Sequence, residues 1–154
     1  MNMLVPGIAG LVAVLVMTVV IRRARYLFLP ETQMIRAIGS MVTKNVDTAL
    51  WPGFFIHTAV GIAFAYFYSY LLHTIPEQLL AGGKGTFTMM VACGLISLVQ
   101  GIIVTLFLVI AVAQYHPVEQ FRKLNPGDMA SHVIGHFFYG ITVGFLLGWL
   151  PNLM

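Results

Sequence analysis

The sequence predicts an all-α integral membrane protein: a bundle of four transmembrane helices, with short amphipathic surface helices in its cytoplasmic loops. Composition gives the first sign, because 59% of the 154 residues are hydrophobic, 8% are charged and the mean hydropathy is +0.91. A soluble domain does not carry so few charges. Residues 4-21, 51-72, 87-113 and 130-150 form four apolar stretches without Asp, Glu, Lys or Arg, and about 20 such residues cross a bilayer core. Lys and Arg are also divided unevenly among the connections, as a polytopic protein requires. Little chain lies outside the spans, so residues 1–154 read as a single membrane domain.

The first span, Leu4 to Ile21, is not read as a cleaved signal, since Met1 to Pro6 carries no Lys or Arg and the basic cluster Arg22, Arg23, Arg25 follows the apolar run. In the connection 22-50, Pro30 followed by Glu31 reads as a helix opening, with Met34, Ile35, Ile38 and Met41 at helical spacing. This predicts a short amphipathic helix on the inner membrane surface. The second span runs from Trp51 to Leu72, and His73 to Gly85 reads as a flexible outer loop with Gly82, Gly83 and Gly85. The third, Phe87 to Ala113, holds 27 residues. That is about 40 Å of helix, so it must tilt, bend or project. Connection 114-129 repeats the Pro-x-x-Gln-apolar pattern at Pro117, Gln120 and Phe121, then breaks at Asn125-Pro126-Gly127 before the fourth span, Ala130 to Leu150.

Seven of the eight Lys and Arg lie in the first and third connections and only Lys84 in the second. The positive-inside rule then makes 22-50 and 114-129 cytoplasmic and puts both termini outside. Trp51 and Tyr115 at inner ends, and Tyr68, Tyr70 and Trp149 at outer ends, agree with interfacial aromatic belts. The same asymmetry accounts for a net charge of +3 and an isoelectric point near 9.3. No nucleic-acid partner is expected, because loops this short cannot build a folded basic surface with stacking platforms. The expected partners are the lipid bilayer and either a homo-oligomer or a larger membrane complex. Cys93 stands alone inside the third span and reads as a small packing residue.

His57 to Ile62 in the second span matches His136 to Ile141 in the fourth, with glycine four residues after each histidine. A tandem duplication follows, each unit comprising a span, an inner surface helix and a second span. Gly53, His57, Gly61 and Ala65 recur every four residues, as do Asp128, His132, His136, Gly140, Gly144 and Gly148. Residues at that spacing share a helix face, and small residues let helices approach closely in lipid. We therefore expect the second and fourth spans to pack together, with Gly61 and Ala65 near the Gly140-Gly144-Gly148 face.

That packing would bring His57 and His136 to one depth, with His132 shallower, His116 at the inner end of the third span and Asp128 at the mouth of the fourth. Ionisable groups inside a membrane are costly and mark functional sites by default. Three chemistries fit. His57, His132 and His136, joined by His116 and Asp128, could ligate a transition metal such as Zn, Cu, Ni or Fe. His57 and His136 could be the axial ligands of a b-type haem, with glycines leaving room for the porphyrin edge. The imidazoles could instead relay protons. Against these stands simple interhelical hydrogen bonding, which needs no ligand. Gln100, deep in the third span, has the same two readings, while Met89 and Met90 are ordinary core fillers before they are soft copper ligands. His116 and His73 read as interfacial, solvated groups.

The order of His57 with Phe64 and Tyr66, the glycine and Gln100 of the third span, the His116-Pro117 and Glu119 loop, and Gly135-His136 entering the last span resembles the YagU-type small inner-membrane proteins over the final hundred residues or so. The resemblance implies a bacterial inner membrane and a stress-linked role, and no established chemistry. A stand-alone enzyme is not expected. The chain has no serine elbow, phosphate-binding glycine loop, HExxH motif or cysteine pair, and Glu31, Glu77 and Glu119 sit alone in loops. With no carboxylate in any span, a stand-alone pump is not expected either.

Overall fold

Every run expected to cross a membrane forms a helix. The structure, a computed structural model, describes residues 3–30, 32–76, 83–123 and 125–152. Its helices are α1 (Leu4–Arg22), α2 (Met34–Thr43), α3 (Leu50–Thr74), α4 (Thr86–Phe107) and α5 (Pro126–Trp149), and no strand occurs among the described residues. By length and apolarity α1, α3, α4 with its continuation to Tyr115, and α5 can each cross a membrane. Glu31 lies outside the described residues, as do residues 77–82 of the expected flexible loop, Glu77 and Gly82 among them.

The long third run is not one uniform helix. After Phe107 it widens into a π-helical turn over Leu108–Val112 and then tightens into a 3-10 turn over Ala113–Tyr115. Single π turns recur at functional or strained places in helices, and here the change of winding hands the chain to the loop at His116.

The surface helices differ from expectation. α2 is amphipathic and sits where the periodic apolar residues predicted it, but it begins at Met34 rather than at Pro30. Pro30 serves α5 instead: its carbonyl accepts a hydrogen bond from the Ser131 hydroxyl at 2.9 Å, and its ring fills the space beside Gly127. α2 lies on α3 where Gly39 and Gly53 bring the two backbones together, and Lys44 in the left-handed region (φ 54°) ends it. Between Tyr115 and Pro126 the described residues of the third connection form no α-helix, only a 3-10 turn, Glu119–Phe121. Asn125-Pro126-Gly127 starts α5 rather than breaking the chain, with Asn125 as cap and Pro126 at the first helical position, where its missing N–H costs nothing.

The expected pairing of the second and fourth spans is not the main contact of either helix. α5 packs chiefly on α4, α1 packs on both α5 and α3, and α2 rests on α3. On the glycine face of α5, Gly140 lies against the Cys93 carbonyl and Ser97, Gly144 against the Met89 carbonyl, and Gly148 against Thr86. The reason is that α4 has a matching stripe of its own, Cys93, Ser97, Gly101 and Thr105 every four residues, and all four are buried. In antiparallel register this sets Gly101 opposite His136 and Thr105 opposite His132. Small faces from both partners shorten the interaxial distance more than one can alone. The α3 stripe is divided: Gly53 serves α2, while Gly61 and Ala65 meet Val14 and Gly10 of α1. α3 reaches α5 through long side chains, with the Tyr139 hydroxyl donating to the Gly61 carbonyl at 2.5 Å and the Tyr68 and Tyr139 rings edge to face at 6.1 Å. These tyrosines join Val14, Met17, Leu72 and Val143 in one buried cluster.

Candidate functional site

The interior between α1, α3, α4 and α5 is polar along part of its length. His132 and His136, one turn apart on α5, are 3% and 7% exposed, and their rings stand edge to face with centroids 4.7 Å apart. Asn125 caps the head of the helix that carries them. Its side-chain oxygen accepts from the Asp128 N–H at 2.9 Å, while its amide donates to the Asp128 carboxylate at 2.6 Å. This is a reciprocal cap that places an acidic group in the positive first turn.

Thr105 of α4 lies 2.8 Å from Nδ1 of His132. Ser97 donates to the His136 backbone carbonyl at 2.5 Å, and Gly101 lies so close to His136 that a Cβ there would stand 2.6 Å from the histidine Cβ. The buried Nδ1 of His136 has no hydrogen-bond partner, and neither has the buried side-chain nitrogen of Gln100. The Gln100 oxygen accepts from the Tyr68 hydroxyl. Buried polar atoms without partners are rare, and each is a place where water or a ligand can bind.

His57 stands on α3 and is half-buried. It also lines a cleft of about 320 Å³ with Thr18 and Arg22 of α1, Thr32, Arg36 of α2 and Leu50. The structure thus brings His132 and His136 into contact and places His57 in the wall of the cleft. Among the described residues there is no group of three or more His, Cys, Asp or Glu side chains spaced to hold a metal.

The two remaining predicted ligands are placed elsewhere. His116, expected to be solvated, is 3% exposed. Its Nε2 lies 3.0 Å from the Ala37 carbonyl of α2, and its Nδ1 accepts from the Val118 N–H at 3.1 Å. Both ring nitrogens are used by backbone, which makes this histidine a link between the end of α4 and α2. Asp128 is occupied by its cap and lines a different cleft, with Gln120 and Lys123. The glycines expected to admit a porphyrin edge are filled: Gly61 by Val14 and Tyr139, and Gly140 and Gly144 by the backbone of α4. Thr105, Ser97 and Tyr139 were not singled out in the sequence, although Ser97 and Thr105 carry the same four-residue signal as the stripes that were, and Tyr68, expected as an outer interfacial ring, is instead fully buried in the core with its hydroxyl on Gln100.

Comparison with known proteins finds no family model that matches the chain, and no curated protein or solved structure significantly similar to it.

Proposed function

We propose that this is a membrane-embedded binding protein in which His132 and His136 hold a transition-metal ion of the kind imidazole favours (Zn, Cu, Ni or Fe), with His57 the next donor. The observation that carries this is the unpartnered, buried Nδ1 of His136 beside a second imidazole whose own Nδ1 is engaged by Thr105. Histidine ligands characteristically hydrogen-bond through one nitrogen and bind metal through the other, and the outer partner fixes ring orientation and tautomer. In this proposal the chain lies in a bacterial inner membrane with the α2 end cytoplasmic, which the distribution of Lys and Arg supports. The two halves, α1 to α3 and α4 to α5, descend from one duplicated unit. His57 and His136 support that origin, each being followed four residues later by a glycine packed against the preceding span of its own half.

The test is elemental analysis with an optical spectrum on detergent-extracted protein, followed by equilibrium dialysis against each ion. Stoichiometric metal that is lost in His132→Ala and His136→Ala is expected. A metal-free protein that takes up no ion, or uptake indifferent to both substitutions, overturns the proposal.

A second role is favoured by the bonds that Thr105 and Ser97 make to the histidine-bearing face of α5. In it the imidazoles are interhelical links, and the chain is a structural or accessory subunit of a homo-oligomer or larger membrane complex. The outward apolar residues of α4, Leu95, Val99, Ile103 and Phe107, are available to such a partner or to lipid. Crosslinking in native membranes tests this role, and a chain that stays monomeric with no partner recovered sinks it.

A further inference from the structure

We propose that the cleft between the end of α1, the start of α2 and α3 is a binding site for a phosphate-type oxyanion, contributed either by an anionic phospholipid headgroup or by a free phosphate. The cleft, about 320 Å³ in volume, receives Arg22 from α1 and Arg36 from α2, and no carboxylate lines it among the described residues. Two guanidinium groups facing one cavity repel each other unless an anion lies between them. Arg36 uses one Nη to donate to the Val46 carbonyl at 2.7 Å, which fixes the side chain, and among the described residues its guanidinium makes no other hydrogen bond. A planar guanidinium held in this way suits bidentate contact with phosphate oxygens.

The hydroxyls supply an independent observation. Thr18 and Thr32 both line this cleft, and the Oγ1 of each is buried without a hydrogen-bond partner. A buried hydroxyl left unpaired is costly, and a phosphate oxygen accepts from hydroxyl and guanidinium alike. The site therefore has two cations and two neutral donors from three separate segments, with His57 at its α3 wall. Ile21 and Leu50 give the same cleft an apolar side, which suits the glycerol and first methylenes of a lipid. The cleft shares His57 with the proposed metal centre, while His132 and His136 do not line it.

The experiment uses the full chain with two probes. Protein reconstituted in phosphatidylcholine, with and without phosphatidylglycerol, is examined by native mass spectrometry for retained phosphatidylglycerol. Protein in phosphatidylcholine alone is titrated with inorganic phosphate. Arg22→Gln removes one cation, and Thr18→Val removes a hydroxyl at nearly constant volume. Each is expected to weaken binding about tenfold, as loss of one charge-assisted hydrogen bond does. Retained phosphatidylglycerol that inorganic phosphate does not displace identifies a headgroup site. Binding of inorganic phosphate without anionic lipid identifies a free-phosphate site. The proposal is overturned if neither probe binds, or if binding is equal in the parent and both variants.

Discussion

Thr105 and His132 face each other across the α4–α5 interface at 2.8 Å, both buried. If the threonine hydroxyl accepts from Nδ1–H, it leaves Nε2 of the imidazole as the free, metal-competent nitrogen. Thr105→Val keeps the shape and deletes the bond. We expect a loss of about 1 kcal/mol in stability, together with a metal affinity reduced about tenfold or more, as loss of a hydrogen bond that orients a ligating imidazole typically causes. Thermal unfolding and metal titration on one preparation check both, and Thr105→Ser should restore them in part. A variant with lower stability and unchanged metal binding would assign the pair a purely structural role.

The close face of α5 makes a sharper mechanical prediction. At Gly140 a methyl group would run into the Cys93 carbonyl and Ser97, and backbone cannot step aside as the tip of a flexible side chain can. Gly140→Ala is expected to destabilise the protein by about 1–3 kcal/mol through overpacking. Gly85, at the head of α4, has open space where a Cβ would go. Gly85→Ala is the control: it meets no atom and gives up only the N-cap preference for glycine over alanine, so it should lose about 1 kcal/mol or less and melt above Gly140→Ala. Equal melting temperatures for the two variants would show that α4 and α5 are not seated as described.

His116 links the segment after α4 to α2 and stands apart from the proposed metal centre, since backbone occupies both of its ring nitrogens. His116→Ala should loosen α2 and leave metal content unchanged. Hydrogen exchange at the α2 amides, faster in the variant, reads the first effect, and elemental analysis reads the second. Loss of metal in His116→Ala would return this residue to the ligand set.

The number and place of the spans were legible because each contributes its own unbroken apolar run, and hydrocarbon imposes that length on any helix crossing it. Which helix faces which was not legible. Gly140 and Gly144 announce a close contact but not its partner, and α4 offers Cys93, Ser97, Gly101 and Thr105 as a stripe no less small than the Gly61–Ala65 face of α3. His132 and His136 were legible as neighbours because one helical turn separates them. His57 was legible only by depth, which sets its height in the bundle and not its direction. His116 was misread because an interfacial position in the sequence does not disclose the Ala37 carbonyl waiting on α2. The start of α2 slipped from Pro30 to Met34 for a similar reason: Pro30 is recruited by Ser131 and Gly127, about a hundred residues away along the chain.

The Tyr68–Gln100 pair allows the polar interior to be tested without reference to any ligand. Tyr68 is fully buried, donates to the Gln100 oxygen and also lies against the Ser97 hydroxyl, so polar side chains join α3 and α4 deep in the molecule. Tyr68→Phe removes the donor and leaves a carboxamide with no partner on either of its ends, since its nitrogen is already unpaired. A loss of about 1–3 kcal/mol is expected, the penalty for a buried polar group left unsatisfied. Adding Gln100→Leu to that variant removes the orphan as well, and because paired apolar replacement can be nearly neutral, the double variant should be more stable than Tyr68→Phe alone. A double-mutant cycle on thermal or denaturant unfolding measures the coupling directly. Additive losses would mean that the two side chains do not interact, whereas recovery in the double variant would place a real hydrogen bond between α3 and α4.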